Sequence, residues 1–290
     1  MRILILGGGS FVGRAIVTAL LNDSHQPTLF SRGKIGTNLF PSVPRLIGDR
    51  DTGDYAALAG GTWDAVVDTS GYVPRHVDQA MDALGDRVGR YLFVSSHAVY
   101  VLQDVGPGSD ESTPLRAPVR DPDVLTDATY GPAKVACEQD ILARFGPRAS
   151  IVRPGKVAGP HDNQEGLTYW VREAARGGRV ELPGDPKQPV QLIDVRDLAA
   201  LVVRLLVDGR GGAFNAVGQS LTITQVIETC AAAAGTSVEI VPVPERRLPL
   251  LQPTRPWSTR QRSAAKAQAA GMPVTPLSVT AADVLANLVP

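Results

Sequence analysis

Short aliphatic runs punctuate the first two thirds of the chain: RILIL at 2–6, PTLF at 27–30, VPRLI at 43–47, DAVVDT at 64–69, RYLFVSS at 90–96 and ASIVRP at 149–154. They lack the polar alternation of half-exposed strands, so each reads as a strand covered on both faces. Between them, 13–22, 73–84 and 130–145 have the apolar spacing and length of crossover helices. Strand and helix in alternation predict an α/β fold, a Rossmann-type doubly wound parallel sheet.

Past Gly159 the texture changes. Two turn-rich pieces, GPHDNQEG and ELPGDPKQP, surround a helix near 167–177, and 190–209 reads as a strand followed by a long apolar helix. Thr222 opens a helix through Ala234, TSVEIVPVP reads as a strand, and after the proline-dotted 242–256 a last helix is expected at 279–288. The alanine runs at 231–234 and 264–270 read as helix formers.

Composition narrows the class. With 290 residues, 43% apolar and 20% charged, the chain is neither disordered nor short of core-forming residues. Its 29 basic and 29 acidic side chains cancel, and no run of five basic residues occurs, so no field attracts phosphate backbones and nucleic acid is not expected as a partner. The most apolar stretch, 198–207, is broken by Arg204 and is about half of what a bilayer span requires. The apolar run in MRILILGGG is too short for a signal-peptide core, so a cytoplasmic protein without membrane contact is expected. Two cysteines, Cys137 and Cys230, cannot build a disulfide framework, and the four histidines show no metal-ligand spacing, so no metal site is expected.

The first strand runs into Gly7, Gly8, Gly9, Ser10, Phe11, Val12 and Gly13, a glycine turn between a buried strand and a helix. Such a turn lets the backbone approach a pyrophosphate, while the helix N-terminus offers free N–H groups and positive potential. The strict GxGxxG spacing is absent; the pattern that fits is GxxSxxG on Gly7, Ser10 and Gly13. Gly7, Gly9, Ser10, Phe11, Val12 and Gly13 are therefore the expected cofactor contacts of the turn. After the second strand stand Ser31, Arg32 and Lys34, where an enzyme selective for NAD would place a carboxylate. A guanidinium and a hydroxyl there suit a 2′-phosphate, so NADP is expected, with NAD as the alternative.

Tyr130 and Lys134 lie four residues apart, on one face of the helix at 130–145, with Pro132 in its first turn. An ammonium held near a phenol lowers the phenol's pKa from about 10, the tuning an acid/base tyrosine needs. RYLFVSS ends in Ser95 and Ser96, and in a parallel sheet that strand end faces the same crevice as the glycine turn.

Taken together, ILGGGSFVG, FSRG, GDRD, VVDTSGY, FVSSHAVY, YGPAK, RPGKVAGP and QLIDVRDLA make the chain resemble the short-chain dehydrogenase/reductase superfamily, in its extended or atypical NAD-dependent epimerase/dehydratase branch. The resemblance implies a dinucleotide-binding domain over 1–160, with 189–217 returning to it, and a substrate-binding region over 161–188 and 218–290. It implies that Tyr130 is the acid/base, that Lys134 binds the nicotinamide ribose, and that Ser96 holds the substrate oxygen. It places Asp49, with Arg50 beside it, at the adenine, Ser70 and Gly71 beside the cofactor ribose, and Pro154 and Gly155 at the nicotinamide. His97, Tyr169 and Gln191 are the candidate substrate contacts.

The departures are informative too. Ser10 replaces the family's middle glycine; His97 and Ala98 stand where dehydratases carry an acidic pair; Val190 and Gln191 replace the Arg-Asp pair with which nucleotide-sugar epimerases grip a diphosphate. The expectation is a reductase of a small-molecule carbonyl or alcohol, monomeric or homodimeric. The alternatives are a sugar or nucleotide-sugar epimerase with tightly bound NAD, and a non-catalytic cofactor- or RNA-associated scaffold of the kind found among similar plant plastid proteins.

Overall fold

Strand β1 (Arg2–Leu6) buries four of its five residues, and its side chains divide by parity: Ile3 and Ile5 enter one core, Leu4 and Leu6 another. A similar division recurs along the central residues of β4 (Trp63–Asp68), β5 (Val88–Val94) and β6 (Ala149–Pro154), which is why their middles carry apolar residues on both faces. With β2 (Gln26–Ser31), β3 (Arg45–Ile47) and, much later in the chain, a strand at 212–216, they form a seven-stranded parallel sheet. The structure, a computed structural model, describes residues 1–251 and 255–288.

The helices supply the two outer layers. On one face α1 (Phe11–Asn22) packs against a helix at 195–207; on the other α2 (Pro74–Leu84) packs against α3 (Tyr130–Phe145). Beyond β6 come β7 (Lys156–Ala158), α4 (Leu167–Arg176), β8 (Gly178–Pro183), β9 (Pro189–Asp194), α5 (Val195–Val207), β10 (Gly212–Ala216), β11 (Ser220–Thr222), α6 (Ile223–Ala234), β12 (Val238–Val243), α7 (Ala265–Ala269) and α8 (Leu277–Ala286). The large sheet therefore runs β3-β2-β1-β4-β5-β6-β10. Strand order reverses between β1 and β4, and in open parallel sheets the crevice at the C-terminal ends of such strands is where ligands bind.

Of the stretch 189–217, α5 packs on α1 and β10 closes the sheet edge, whereas β9 joins a small separate sheet between β7 and β11. The piece ELPGDPKQP is not all turn. Its first three residues end β8, which pairs in parallel with β12, and Pro189 opens β9, the one strand position where a missing ladder donor costs least. Val180 and Leu182 bury in a third core with α4, α6 and α8.

Candidate active site

The turn after β1 needs its glycines. Gly7 and Gly8 have φ of +119° and +93°, and a Cβ on Gly13 would come 2.6 Å from the Gly8 nitrogen. The first helical hydrogen bond of α1 runs from the Arg14 N–H to the Ser10 carbonyl at 2.8 Å. The amides of Phe11, Val12 and Gly13 thus precede the ladder, and together with the helix dipole they fit a pyrophosphate. Ser10 makes no capping bond to its own helix; its hydroxyl accepts from Asn163 Nδ2 at 3.1 Å, from the loop between β7 and α4. The segment after β2 lies over the turn, Gly9 and Gly36 meeting so closely that a Cβ on either would stand 2.4 Å from a backbone oxygen of the other segment.

Ser31 ends β2 and Arg32 begins the loop that follows. The Ser31 hydroxyl accepts from the Gly33 N–H at 3.3 Å, and half-exposed Arg32 lies 3.4 Å from Asp51. Asp49 accepts from the Asp51 N–H in a local turn. Arg50, expected beside the adenine, turns inward instead: it is 9% exposed and grips Asp68 at 2.6 and 2.9 Å, the Ser70 hydroxyl and the His76 carbonyl. Burial opposes the charge on Asp68, but the Arg50 guanidinium overcomes it and holds the carboxyl below its usual range. Ser70 donates to the Leu6 carbonyl, so its hydroxyl fixes the loop after β4 to the end of β1.

At the end of β5 the two serines diverge. Ser95 is buried and donates to Glu138 at 2.5 Å, whereas Ser96 caps the short turn at 97–99, accepting from the Ala98 N–H at 3.1 Å. The Ser96 hydroxyl stands close enough to the Tyr130 phenol to favour its ionised form. Tyr130 opens α3, where Pro132 in the first turn sacrifices no hydrogen bond. Burial pushes the phenol above its ordinary value, with Ser96 working against that rise.

The expected lowering of the phenol by Lys134 is corrected by where the ammonium goes. Lys134 is 2% exposed; its Nζ donates to the Gly71 and Val94 carbonyls at 2.7 and 3.0 Å and lies 4.4 Å from the Phe93 ring centre. In this arrangement the lysine ties together the loops after β4 and β5. Pro154 ends β6, and the Gly155 N–H bonds the Ala216 carbonyl, setting both at the neighbouring strand ends.

The candidate substrate residues separate. His97 and Gln191 line one cavity of about 370 Å³, along with Lys156, Arg247 and Arg260. Tyr169 does not line it; its ring meets Trp170 edge-on at 5.0 Å and packs against the third core. Gln191 is braced on the backbone of Arg262, donating to its carbonyl at 2.8 Å and accepting from its N–H at 3.1 Å. Arg262 itself reaches His97 Nδ1 at 3.1 Å. Sequence reasoning missed Arg262; the one trace of it was the stretch RPWSTRQR at 255–262, basic and free of carboxylates.

Residues 3–217 match the NAD dependent epimerase/dehydratase family. This chain belongs to that family. Among curated family relatives, the chloroplast stem-loop binding protein of 41 kDa b from Arabidopsis thaliana is 28% identical, over 81% of this chain and 63% of its own length. This chain therefore spans less than two thirds of that relative. The 2-alkyl-3-oxoalkanoate reductase of Stenotrophomonas maltophilia is 26% identical over 87% of this chain and 84% of its own. The fold is shared with Thermus thermophilus UDP-glucose 4-epimerase in complex with NAD, at a TM-score of 0.74 and 20% identity, over 99% of this chain and 98% of that one.

Proposed function

We propose that this family member is a nicotinamide-dependent oxidoreductase that interconverts a carbonyl and an alcohol on a small molecule, with Tyr130 as its acid/base. One observation carries the reading: a glycine turn with free helix-terminal amides and the Ser96–Tyr130 pair open onto the same end of one parallel sheet. The dinucleotide supplies hydride exchange at the substrate carbon when bound. Tyr130 gives its phenolic proton to the substrate oxygen in reduction and takes it back in oxidation. Ser96 orients that oxygen, and Lys134 holds the two loops on which Gly71 and Val94 lie.

Burial raises the Tyr130 phenol above its ordinary value, so it enters as the protonated acid that donates to a developing alkoxide, which suits reduction. The likeness to a 2-alkyl-3-oxoalkanoate reductase supports the same direction. We assign NADP over NAD because Arg32, half exposed at the end of β2, stands where a carboxylate would repel the 2′-phosphate. If titration shows NAD binding tighter than NADP, and Arg32→Glu leaves that preference unchanged, the assignment fails.

The likeness to a stem-loop binding protein favours a second reading, a chain that keeps the fold and binds without catalysis. One variant separates the two. Tyr130→Phe should bind the reduced dinucleotide as the wild type does, followed by its fluorescence, and lose turnover on the order of 100-fold or more. Full turnover in that variant, or none in the wild type, removes the catalytic reading.

A further inference from the structure

Three arginines are buried to less than a tenth of their surface. Arg50 is neutralised by Asp68 and Arg153 by Glu138, each pair at 2.6 Å. Arg262, 5% exposed, has no such partner among the described residues: its Nη1 donates to the Thr259 carbonyl at 2.5 Å and to His97 at 3.1 Å, its face lies 5.4 Å from the Tyr100 ring centre, and its buried Nε bonds none of them. A buried cation without a counter-charge is costly, and in a folded protein something ordinarily neutralises it.

The neighbouring charges do not. Among the described residues, Lys156, Arg247 and Arg260 are the charged ones lining the adjoining cavity, with no aspartate or glutamate, and Arg262 reaches its wall through His97. Arg262 can only donate, so His97 Nδ1 is the acceptor and Nε2 carries the ring proton. Burial, then the charges of Arg262, Arg255, Lys156 and Arg260, push the imidazole down to about 3, so it stays a neutral donor. What is missing is an acceptor with negative charge. His97 directly follows Ser96 and lines the cavity, so a group bound against the paired His97 and Arg262 is close to the substrate oxygen.

We infer that the substrate carries a compact oxyanion, a carboxylate or a phosphate group, that seats against Arg262 and His97 a few bonds from the reacting carbon. This names the substrate class and rests on the oxidoreductase reading for what happens beside it. A carboxylate takes a guanidinium and an imidazole N–H together with good geometry, and a cavity of about 370 Å³ leaves room for the remainder of a small molecule.

Calorimetric titration of the full chain with 3-oxobutanoate, its methyl ester and inorganic phosphate tests the inference. One of the two anions should bind at least tenfold tighter than the neutral ester, the tighter naming the oxyanion, and Arg262→Gln should abolish the preference. Equal binding of acid and ester, absence of binding by either anion, or a preference that survives in Arg262→Gln overturns it. Should that variant not fold, nitrogen NMR of the wild type decides: the His97 ring resonances shift with the bound anion but not with the ester, and unmoved resonances overturn the site. Tyr130→Phe should retain the preference. A preference without hydride transfer to any carbonyl would thus remove the catalytic reading and leave the anion site standing.

Discussion

What neutralises a buried charge decides how this protein responds to acid. Asp68 is held below its usual carboxyl range because Arg50 overcomes the cost of its burial. Its stabilising contribution is therefore complete above the unfolded value of about 3.9 and is lost as pH falls through the folded one. His97 acts over a higher window. The unfolded imidazole takes a proton below about pH 6.5, while the folded one resists it down to about 3. Protons thus favour the unfolded chain, and stability falls by up to about 1.4 kcal/mol per pH unit within that window. Urea midpoints of His97→Gln should vary less with pH between those limits than those of the wild type; parallel curves would show that this histidine does not titrate as the structure implies.

At the scale of elements, α3 is held by a buried network one turn beyond Lys134. Glu138 accepts from Ser95 at the end of β5 and from Arg153 on β6; Arg153 donates to the Tyr100 hydroxyl, which donates to Asn215 on β10 at 2.6 Å. One helix and three strand ends are thereby fixed relative to one another, and with them the separation of Ser96 and Tyr130. Glu138→Ala leaves Arg153 buried and unpaired, and should cost about 3–5 kcal/mol in urea unfolding. The double variant with Arg153→Met should recover part of that, because the uncompensated charge is gone. Outside the large sheet, α6 begins with a complete capping box between Thr222 and Gln225. Thr222→Ala should cost about 1 kcal/mol, measured in the same way.

Across the whole molecule, the Asn163 side chain reaches from the loop between β7 and α4 to the Ser10 hydroxyl at the glycine turn. Ser10 stands where the family has glycine, so this chain has a hydroxyl with which the loop between β7 and α4 latches onto the glycine turn. On the cofactor reading, Asn163→Ala should release bound reduced dinucleotide several-fold faster, as loss of a hydrogen bond worth roughly 1 kcal/mol implies. Stopped-flow fluorescence measures this, and an unchanged release rate would mean that the contact does not retain the cofactor.

The doubly wound sheet was legible from the amino acids alone, because strands buried on both faces carry near-continuous apolar runs and so announce themselves without reference to their neighbours. Equally legible were α3 from Tyr130 to Phe145 and the turn at 7–13, where helix spacing and glycine conformations are local properties. The remainder depended on packing between distant segments. The short strands β7, β8 and β11 exist through their partners, and Tyr169 went to a core that distant helices complete. Arg50, Lys134 and Arg262 were each directed by acceptors far along the chain: Asp68, the Gly71 and Val94 carbonyls, and His97. A long side chain goes where its charge is best solvated or matched, and which groups offer that is settled only when the sheet brings its loops together.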